Sequence, residues 1–494
     1  MLNLNLNNSN WTTKAFTDED GVVQTTSLTN LALNNGVVNL ANDNYQGIIV
    51  RGNLTGSGTF NLNTNIAENK SDKIVVKGTA EGNHKIGVTN QGANVANGKV
   101  TLVETNGGNA AFSLTNPNNR VDLGAYQYFL TKEGNNWVLA NSKNEVTPTP
   151  PVAPVTPSKP VVTPSKPAVT PNTPVVTPSK PAVTPSTPVV TPSNPVVPPA
   201  VLPSAPLLSD FANAQVSLRQ AQLLLVEDDL SGIHQRLGEV KNGEKGNVWA
   251  RNVNSRQKLA VLSTGESETS GFKQNVHSLQ VGADAAVTNN LRVGGFVGRS
   301  QANVDFNGDY GDGKVRSNSV GLYAAYLADN GIYVDNIVKY SRLHANSDLT
   351  EKRHYNAYTI SSELGKRFNL VNDWTITPQA QLAWTHISSQ ENEDSLSSVY
   401  SRIGLRVAKG FALSNGWNLQ PYAEVNAITS KNRSSKIHYT NSALDVASSR
   451  GRFESAVGLN AGFANHRFGL EVSRADGKNF DKPYAIQAVY RYQW

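Results

Sequence analysis

A proline-rich tract divides the chain and restricts what its middle can fold into. Residues 147–206 hold 20 of the 24 prolines, in two series that start at Pro157 and Pro160 and repeat every seven residues. Proline lacks an amide donor, so this segment cannot build a hydrogen-bonded core and favours an extended polyproline conformation. We expect a Pro-rich linker that spans on the order of 190 Å at ~3.1 Å per residue. The alternative is a ligand for a proline-recognising domain.

The remaining composition excludes several classes of protein. The 494 residues include no cysteine, which rules out a disulfide scaffold and a cysteine nucleophile. The net charge of +6 divides into −1 over 1–146, +3 over 147–206 and +4 over 207–494. No segment therefore has the dense basic patch of a nucleic-acid-binding protein. No run approaches the ~18 apolar residues of a membrane-spanning helix, although the alternating strands of a membrane barrel escape that test.

The first part of the chain is rich in asparagine and has short alternating segments. Asn accounts for 29 of residues 1–146, and segments such as Leu2–Leu6 and Phe60–Asn63 are separated by Gly and Asn turns. Stacked coils would bury the aliphatic residues and align the Asn side chains in ladders at the corners. We therefore predict that 1–146 is the end of a right-handed parallel β-helix, closed by an aromatic cap over Val121–Leu139. The main cap residues are Tyr126, Tyr128 and Trp137.

Residues 207–238 predict a polar helix. The segment Leu207–Leu237 has no proline and no glycine before Gly232, and Gly238 stands where a helix would end. One continuous helix would reach about 46 Å, enough to cross a bilayer. Its charged side chains are incompatible with hydrocarbon, so it needs a polar surround such as the lumen of a barrel. These charged residues are Arg219, Glu227, Asp228, Asp229 and Arg236.

Residues 239–494 predict a twelve-stranded antiparallel barrel. Twelve segments between Trp249 and Trp494 have strand character, and an even number suits a bacterial membrane barrel. The expected connections alternate between tight turns and long loops, which is typical of a barrel with two different rims. The long loops are expected near 260–272, 301–315, 344–356, 388–399, 429–451 and 476–483.

The strand pattern also predicts which side chains face outward. In the last strand, Tyr484 shares an apolar face with five residues nearer the C-terminus, while Gln487 and Arg491 lie on the opposite face. These five are Ile486, Ala488, Tyr490, Tyr492 and Trp494. Other charged side chains would face the lumen and meet the charges of the helix, in pairs that stabilise more when dry than when hydrated. They are Arg402, Arg406, Arg452 and Glu454.

The order of β-helix end, spacer, polar helix, barrel and terminal aromatic residue resembles the autotransporters of type V secretion, in particular the pertactin and AIDA adhesin group. Asp122–Tyr128 is similar to the autochaperone segment that ends passengers of that group, and Tyr490–Trp494 is similar to its terminal assembly signal. Other similar motifs are Arg236–Glu239, Trp249–Arg251, Gln280–Asp284, Pro378–Gln381 and Arg402–Arg406.

This resemblance implies a bacterial outer-membrane barrel that delivers its own passenger to the cell surface and is then plugged by the luminal helix. The implied partners are outer-membrane lipid, the outer-membrane assembly machinery that reads the terminal signal, and a host or neighbouring-cell surface contacted by the passenger. We expect no nucleic acid, no cofactor and a monomeric barrel. The passenger is expected to be adhesive or self-associating. The alternative is an exported protease or esterase whose catalytic part lies upstream, whereas a free-standing porin leaves the helix and spacer unexplained.

The motifs of common enzymes and metal sites are missing from the sequence. There is no HExxH, no GxSxG and no glycine-rich phosphate loop, so we expect no catalytic, cofactor or metal site and no enzyme activity. Asp305–Gly313 is acidic but lacks the spacing of a calcium loop, and we expect an exposed loop there.

Two departures from the autotransporter pattern concern processing. Some relatives cut themselves at an Asn-Asn pair, and Ser231 and Gly232 stand at that place here, so we expect an intact chain. Acid-assisted cleavage at Asp228 and Asp229 is the alternative, although solvated helix-end carboxylates are preferred. Met1–Asn10 has neither a basic nor an apolar signal region, which suggests a C-terminal piece or a truncated reading frame.

Overall fold

The computed structural model describes most of the chain on either side of the proline tract. The described residues are 2–13, 25–41, 45–91, 95, 98–141, 207–239, 241–264, 267–440, 442–447, 449 and 451–494. The Pro-rich linker predicted over 147–206 lies outside them. Among the helices of the described residues, none is both long enough and apolar enough to span a membrane.

The first part of the chain is a β-solenoid, which confirms the predicted β-helix. Its strands are β1 (Asn3–Asn7), β2 (Asn10–Thr12), β3 (Thr26–Leu28), β4 (Asn30–Asn39), β5 (Gly47–Val50), β6 (Leu54–Asn65), β7 (Lys70–Ser71), β8 (Lys73–Val76), β9 (Asn83–Asn90), β10 (Lys99–Thr105), β11 (Ala111–Leu114), β12 (Val121–Leu123), β13 (Tyr126–Glu133) and β14 (Asn136–Ala140). Strands β1, β4, β6, β9 and β11 form one parallel stack, and β3, β5, β8 and β10 form a second. After the resemblance described above, we call this β-solenoid the passenger region.

Each turn of the solenoid places like residues above one another. Val38, Phe60 and Ile86 occupy equivalent register positions on three successive turns, and all three are fully buried. At the surface, Asn30 Nδ2 donates to Asn3 Oδ1 at 2.9 Å, which is one rung of an Asn ladder. The alternation of Asn and aliphatic residues therefore supplies both the dry interior and the polar corners.

The stack ends in an antiparallel cap. Strand β14 pairs antiparallel with β10, and β13 and β12 continue the sheet beyond it. Tyr128 is fully buried, and its hydroxyl donates to the Val95 carbonyl at 2.5 Å. Trp137 packs its ring against Phe112, with ring centroids 5.5 Å apart. These contacts cover the last apolar rung.

A buried carboxylate ties neighbouring turns of the solenoid together. Asp72 accepts hydrogen bonds from the backbone amides of Gln46 at 2.7 Å and Asn63 at 2.6 Å. Burial raises the pKa of Asp72 to about 6, despite the two amide donors that favour its charged form. Asp72 therefore titrates in a mildly acidic range.

The last part of the chain forms a closed barrel. Its strands are β15 (Gly246–Leu259), β16 (Leu262–Thr264), β17 (Ser267–Thr269), β18 (Phe272–Ala286), β19 (Leu291–Phe306), β20 (Asp312–Leu327), β21 (Ile332–Ser347), β22 (Arg353–Lys366), β23 (Phe368–Asn369), β24 (Trp374–Ile387), β25 (Leu396–Lys409), β26 (Phe411–Ala412), β27 (Trp417–Asn432), β28 (Lys436–Tyr439), β29 (Ser442–Asp445), β30 (Arg452–Phe463), β31 (His466–Gly477) and β32 (Phe480–Gln493). Twelve of them, each 12 to 16 residues long, form the wall. The wall is closed because β15 pairs with β32 and β22 pairs with β24. The predicted twelve-stranded antiparallel barrel is thus confirmed.

The two rims differ less than predicted. We call the end at 260–271, 388–395 and 433–451 the loop rim, and the end at 287–290 and 464–465 the turn rim. On the loop rim, the connections 307–311, 348–352 and 478–479 are short, so the strict alternation of loop lengths is wrong. The reason is that the strands beside these connections continue past their predicted ends.

The polar segment before the barrel is two helices rather than one. Helix α1 (Asp210–Asp228) is followed by the short helix α2 (Ile233–Leu237), so the prediction of one continuous helix over 207–237 is wrong. Ser209 caps α1, since its Oγ accepts a hydrogen bond from the Ala212 amide at 3.2 Å. Gly232 has an extended backbone, and glycine disfavours a helix interior, which explains the break before α2.

Candidate functional site in the barrel lumen

Helix α1 fills the part of the lumen nearest the loop rim. Every residue from Ala212 to Glu227 is buried, although the segment includes Asn213, Gln215 and Gln222. The helix packs against β18, β19, β20 and β21. The inner wall of the barrel, rather than lipid, therefore surrounds the polar side chains of the helix.

An apolar collar surrounds α1 near the loop rim. Inward-facing apolar residues of the wall and apolar residues of α1 belong to one buried cluster. The wall residues are Phe272, Val276, Val304, Phe306, Leu343, Ile387 and Leu396. The predicted polar inner face therefore does not extend to this level, where the inward side chains of the wall are apolar. The sequence did carry a signal, because outward positions beside the collar, such as Asn275 and Asn303, are polar.

Three consecutive acidic residues at the end of α1 reach three different parts of the wall. Glu227 lies 3.5 Å from Arg452 on β30, and Asp228 lies 3.8 Å from Lys482 on β32. The wall carries these partners at the level where α1 ends.

The third acidic residue, Asp229, accepts hydrogen bonds from serine hydroxyls of two neighbouring strands. The donors are Ser278 Oγ and Ser300 Oγ, each at 2.7 Å. Successive helical residues differ by about 100° in direction, so one acidic run contacts much of the circumference. This run fixes both the height and the rotation of α1.

Arg219 joins α1 to a loop of the loop rim. Its Nε lies 3.5 Å from Glu393, and one of its terminal nitrogens donates to the Asp394 carbonyl at 2.8 Å. Its guanidinium also lies 4.8 Å from the centre of the Tyr355 ring. Arg219 and Glu393 are both buried, so the loop is held inside the barrel mouth by a dry ion pair.

Arg236 anchors α2 at the other end of the lumen. Its guanidinium lies 2.7 Å from the Asp335 carboxylate and 4.2 Å from the centre of the Tyr323 ring. Arg236 and Asp335 are both almost completely buried. The sequence did not reveal Asp335 or Glu393 as partners, because their separation along the chain follows no local rule.

Arg402 and Arg406 are brought to wall carboxylates and not to the charges of the helix. Arg402 forms a fork between Glu363 at 2.8 Å and Glu424 at 3.1 Å. Arg406 lies 3.7 Å from Glu424 and over the Tyr422 ring. A carbon at the Cβ position of Gly232 would lie 2.0 Å from Glu363. This charged network therefore packs directly against the break between α1 and α2.

The remaining charged residue, Glu454, pairs with a lysine that also approaches the helix. Lys482 Nζ lies 2.5 Å from Glu454 and 3.8 Å from Asp228. A cavity of about 80 Å³ beside the helix break is lined by these three side chains and by Arg452 and Glu227. The lumen is therefore filled by alternating charges with little free space at this level.

Several aromatic rings of the inner wall lie across glycines of the next strand. A Cβ on Gly365 would lie 2.4 Å from the Tyr333 ring, and a Cβ on Gly458 would lie 2.3 Å from the Tyr422 ring. Only glycine leaves room for this contact. The rings thereby present their hydroxyls to Glu363 at 2.9 Å and Glu471 at 2.8 Å.

The cap of the passenger region is bonded to the segment that enters the barrel. Asn141 Oδ1 accepts from the Leu207 amide at 2.9 Å, and Ser209 Oγ donates to the Gly124 carbonyl at 2.7 Å. Arg120 forms an ion pair with Asp210, the first residue of α1. Tyr126 pairs with Leu208 in an isolated β-bridge. The solenoid thus ends directly on the N-terminus of the luminal helix.

The five outward residues of the last strand remain at the barrel surface. Ile486, Tyr490 and Trp494 are exposed, and the Tyr490 ring packs against Phe468 with centroids 5.3 Å apart. The Trp494 amide donates to the Gly246 carbonyl at 3.1 Å, which closes β32 on the start of β15. Ala488 is exposed and Tyr492 is half-buried on the same face.

The described residues offer no arrangement of three or more His, Asp or Glu side chains able to hold a metal ion. A cavity of about 310 Å³ near the turn rim is lined by residues including His234, Glu244 and Arg491. Its lining carries both charge signs. The site is therefore a filled passage with charged and aromatic contacts, and its chemistry is that of packing and ion pairing.

The fold and its surface define a class of protein. The outward side chains of the wall form an apolar belt that includes Leu322, Ile403 and Val457, while the lumen holds the charged residues. An antiparallel barrel with this distribution is an outer-membrane β-barrel.

Comparison with known families places the chain within this class. Residues 248–473 match the family model of the autotransporter β-domain, and residues 28–141 match the model of pertactin. The chain therefore carries an autotransporter β-domain together with a pertactin-like passenger region. Its barrel lies in the bacterial outer membrane, in contact with lipid, and its passenger region is exposed at the cell surface.

Three relatives illustrate the similarity. The chain is 29% identical to the BrkA autotransporter of Bordetella pertussis over 310 residues, which cover 58% of this chain and 30% of that protein. It is 30% identical to the pertactin autotransporter of Bordetella parapertussis over 317 residues, covering 59% and 34%. It is 26% identical to the serine protease EspP of Escherichia coli over 322 residues, covering 57% and 23%.

A solved structure also matches the barrel. The crystal structure of the BrkA β-domain is 26% identical, with a TM-score of 0.44, and covers 51% of this chain and all of that one. The chain spans about a third of the length of the BrkA and pertactin relatives.

Proposed function

We propose that the barrel exports its own passenger region through the lumen and anchors it at the cell surface. The observation that carries this proposal is the path of the chain. The passenger cap is bonded to Leu207 and Asp210 near the loop rim, while α2 leads to β15 at the turn rim. The described segment Leu207–Leu237 therefore runs through the lumen on its way to the wall.

The position of the passenger supports the outward direction of transport. Leu207 pairs with Glu268, which belongs to the long connection 260–271 of the loop rim. In bacterial outer-membrane barrels, the longer loops lie outside the cell and the shorter turns face the periplasm. The passenger region is then outside, at the end of a chain that has crossed the membrane.

The luminal helix would remain as a plug after export. The collar around α1 is dry, and three acidic residues at its end contact three sectors of the wall. A helix held by this many contacts blocks ions more completely than a mobile strand. We propose the following division of the chain: passenger with cap over 1–146, Pro-rich linker over 147–206, luminal helix over 207–238 and translocating barrel over 239–494.

The plug can be tested by cross-linking in cells, because the chain has no cysteine of its own. A Cβ on Gly313 would lie 2.9 Å from the Leu218 side chain, so the pair Leu218→Cys and Gly313→Cys should be joined by a short bis-maleimide. The control pairs Leu218→Cys with Asn318→Cys, whose position faces outward. Cross-linking of the first pair alone supports a helix inside the barrel, and equal cross-linking of both pairs contradicts it.

We propose further that the passenger is adhesive or self-associating. Its repeated turns present ladders of Asn side chains on extended flat faces, which suit many weak contacts with a host or neighbouring cell. The alternative is export of an enzyme whose catalytic residues lie outside this sequence, and the similarity to a serine protease favours it. Cells displaying the passenger should sediment faster, or bind more strongly to host cells, than cells displaying the barrel alone. Equal results in both measurements would contradict the proposal.

Two narrower proposals concern assembly and processing. The exposed terminal residues Ile486, Tyr490 and Trp494 would be read by the outer-membrane assembly machinery, so deletion of Tyr490–Trp494 should leave the protein in the periplasm. The chain would also stay intact, since Asp228 and Asp229 are engaged by Lys482, Ser278 and Ser300. Mass spectrometry of the purified barrel tests the second proposal directly.

A further inference from the structure

Three arginines lie close together on the outward face of the barrel. Arg299 is on β19, Arg316 on β20 and Arg342 on β21, and all three are exposed. In the strand register, Arg299 lies opposite Asn318, and Asn318 lies opposite Arg342. Arg316 is one outward position nearer the loop rim. Since neighbouring strands are about 4.8 Å apart, the three backbones lie within roughly 10 Å of one another. We call these residues the arginine patch.

The arginine patch lies at the edge of the apolar belt. The next outward positions toward the turn rim are Val297, Val320 and Tyr340, which follow one another across the same three strands. The Tyr340 ring packs at a tilt against that of Tyr358 on β22, with ring centroids 5.4 Å apart. Tyrosine marks the level of the lipid headgroups in membrane proteins. The arginines therefore stand at headgroup level, on the surface that faces lipid.

No carboxylate neutralises the patch within the described part of the chain. None of the three arginines has an ion pair there, and Arg316 donates only to the Gln301 amide oxygen at 3.3 Å. On the opposite wall, by contrast, the exposed Arg474 is bonded to Asp476 at 2.9 Å. An ion pair within the protein therefore neutralises Arg474. Among the described residues, no such pair neutralises the arginine patch.

A groove adjoins the patch on the side of the loop rim. It has a volume of about 740 Å³, and its lining includes Arg316, Lys314, Lys352 and Asn303. Asp305, Asp312 and Asp348 also line it. Amide and carboxylate side chains of this kind form hydrogen bonds with sugar hydroxyls. The arginine patch lies at the edge of the groove nearer the turn rim. The surface therefore combines a groove suited to sugar hydroxyls with arginines at the edge of the apolar belt.

We propose that the arginine patch binds the phosphate groups of a phosphorylated glycolipid in the outer leaflet of the outer membrane. Guanidinium groups match phosphate through paired, charge-assisted hydrogen bonds. Basic residues at a membrane surface also attract anionic lipids through the local surface potential. The sugar of the lipid occupies the groove, and its acyl chains lie on Val297, Val320 and the tyrosine pair.

The full chain in detergent micelles provides the test, with diphosphorylated lipid A as the probe and native mass spectrometry as the measurement of binding. Each arginine replaced by glutamine should weaken binding about fivefold. The triple variant of Arg299→Gln, Arg316→Gln and Arg342→Gln should therefore lose on the order of 100-fold. The matched control removes three exposed cations elsewhere, through Lys431→Gln, Arg433→Gln and Arg474→Gln.

We expect the control variant to bind diphosphorylated lipid A as strongly as the unchanged chain does. With the dephosphorylated lipid as the probe, the triple arginine variant and the unchanged chain should bind equally. Equal weakening by the control triple would overturn the assignment of the site. Equal binding of the phosphorylated and dephosphorylated lipids would overturn the role of the phosphates. Competition by millimolar inorganic phosphate as strong as that by the lipid would overturn the glycolipid as the ligand.

Discussion

The Arg236 guanidinium lies 2.7 Å from the Asp335 carboxylate, with both groups almost completely removed from solvent. This pair joins α2 to β21 across 99 residues of sequence. A buried ion pair contributes little net stability compared with apolar residues, but loss of one partner leaves an uncompensated charge. The pair therefore acts mainly to select one position of the helix in the lumen.

Replacing Asp335 by leucine should destabilise the folded barrel by about 3–5 kcal/mol, because the Arg236 charge stays buried without its partner. The double change Arg236→Met and Asp335→Leu should restore most of that loss, since it removes both charges. The denaturant midpoint of the refolded barrel measures both effects. A double variant as unstable as the single one would contradict the ion-pair explanation.

Gly365→Ala should destabilise the barrel by about 1–3 kcal/mol, because the added methyl group overlaps the Tyr333 ring. Gly410→Ala is the matched control, since its Cβ would meet the nearest atom at an ordinary 3.4 Å. The temperature at which the barrel loses its fast gel migration reports the change. Similar shifts for the two variants would show that the ring contact is unimportant.

The stability of the passenger region should fall as the pH rises from about 4 to about 6. The pKa of Asp72 is raised to about 6 in the folded state, whereas its ordinary value is about 3.8, so folding binds a proton in this range. The resulting stabilisation is fully present below about 4 and is lost as the pH passes 6. Thermal unfolding of the full chain followed at several pH values tests this slope, and Asp72→Asn should flatten it. A parallel slope in that variant would assign the effect to another group.

Removing 207–237 should raise the ion conductance of the barrel in planar bilayers, because α1 and its apolar collar fill the lumen. A milder variant, Leu218→Asp, should increase the frequency of brief openings by placing a charge against the collar. Conductance equal to that of the intact chain in both cases would contradict the plug.

Trp137→Ala should loosen the end of the solenoid, since this ring covers Phe112. A truncation of this size in a packed site costs about 3 kcal/mol or more. We expect slower surface display and faster proteolysis of the passenger, with Lys85→Ala at an exposed position of β9 as the control. Unaltered display and protease resistance would contradict the role of the cap.

Periodicity predicted the solenoid and the barrel because it is a local property of the chain. Strand alternation fixes which face of β32 is apolar, and the Asn and aliphatic repeat fixes the stacking of Phe60 on Ile86. The apolar collar escaped prediction because the strands extend beyond the membrane, where the outward side chains become polar and the inward ones apolar. The two-residue alternation of the strands continues at this level, but the apolar side chains point inward and the polar ones outward.

The partners in the lumen depend on three-dimensional closure. Helical charges such as Arg219 and Arg236 were recognisable as residues in need of a polar surround, but Glu393 and Asp335 carry no local mark. Arg402 shows the converse, because its luminal position was predicted while its actual partners, Glu363 and Glu424, lie on the wall. Sequence patterns thus predicted the face of a residue better than its contact.

In the proposed mechanism, the passenger region reaches the outside through the barrel to which it is attached. The most direct measurement is protease treatment of intact cells that express the chain behind a signal peptide, analysed on a gel with and without heating. Export through the barrel predicts a fast-migrating, heat-sensitive barrel band that loses everything before the proline tract when protease is added. Passenger that stays protected until the outer membrane is permeabilised, or a band that never shifts on heating, would contradict it.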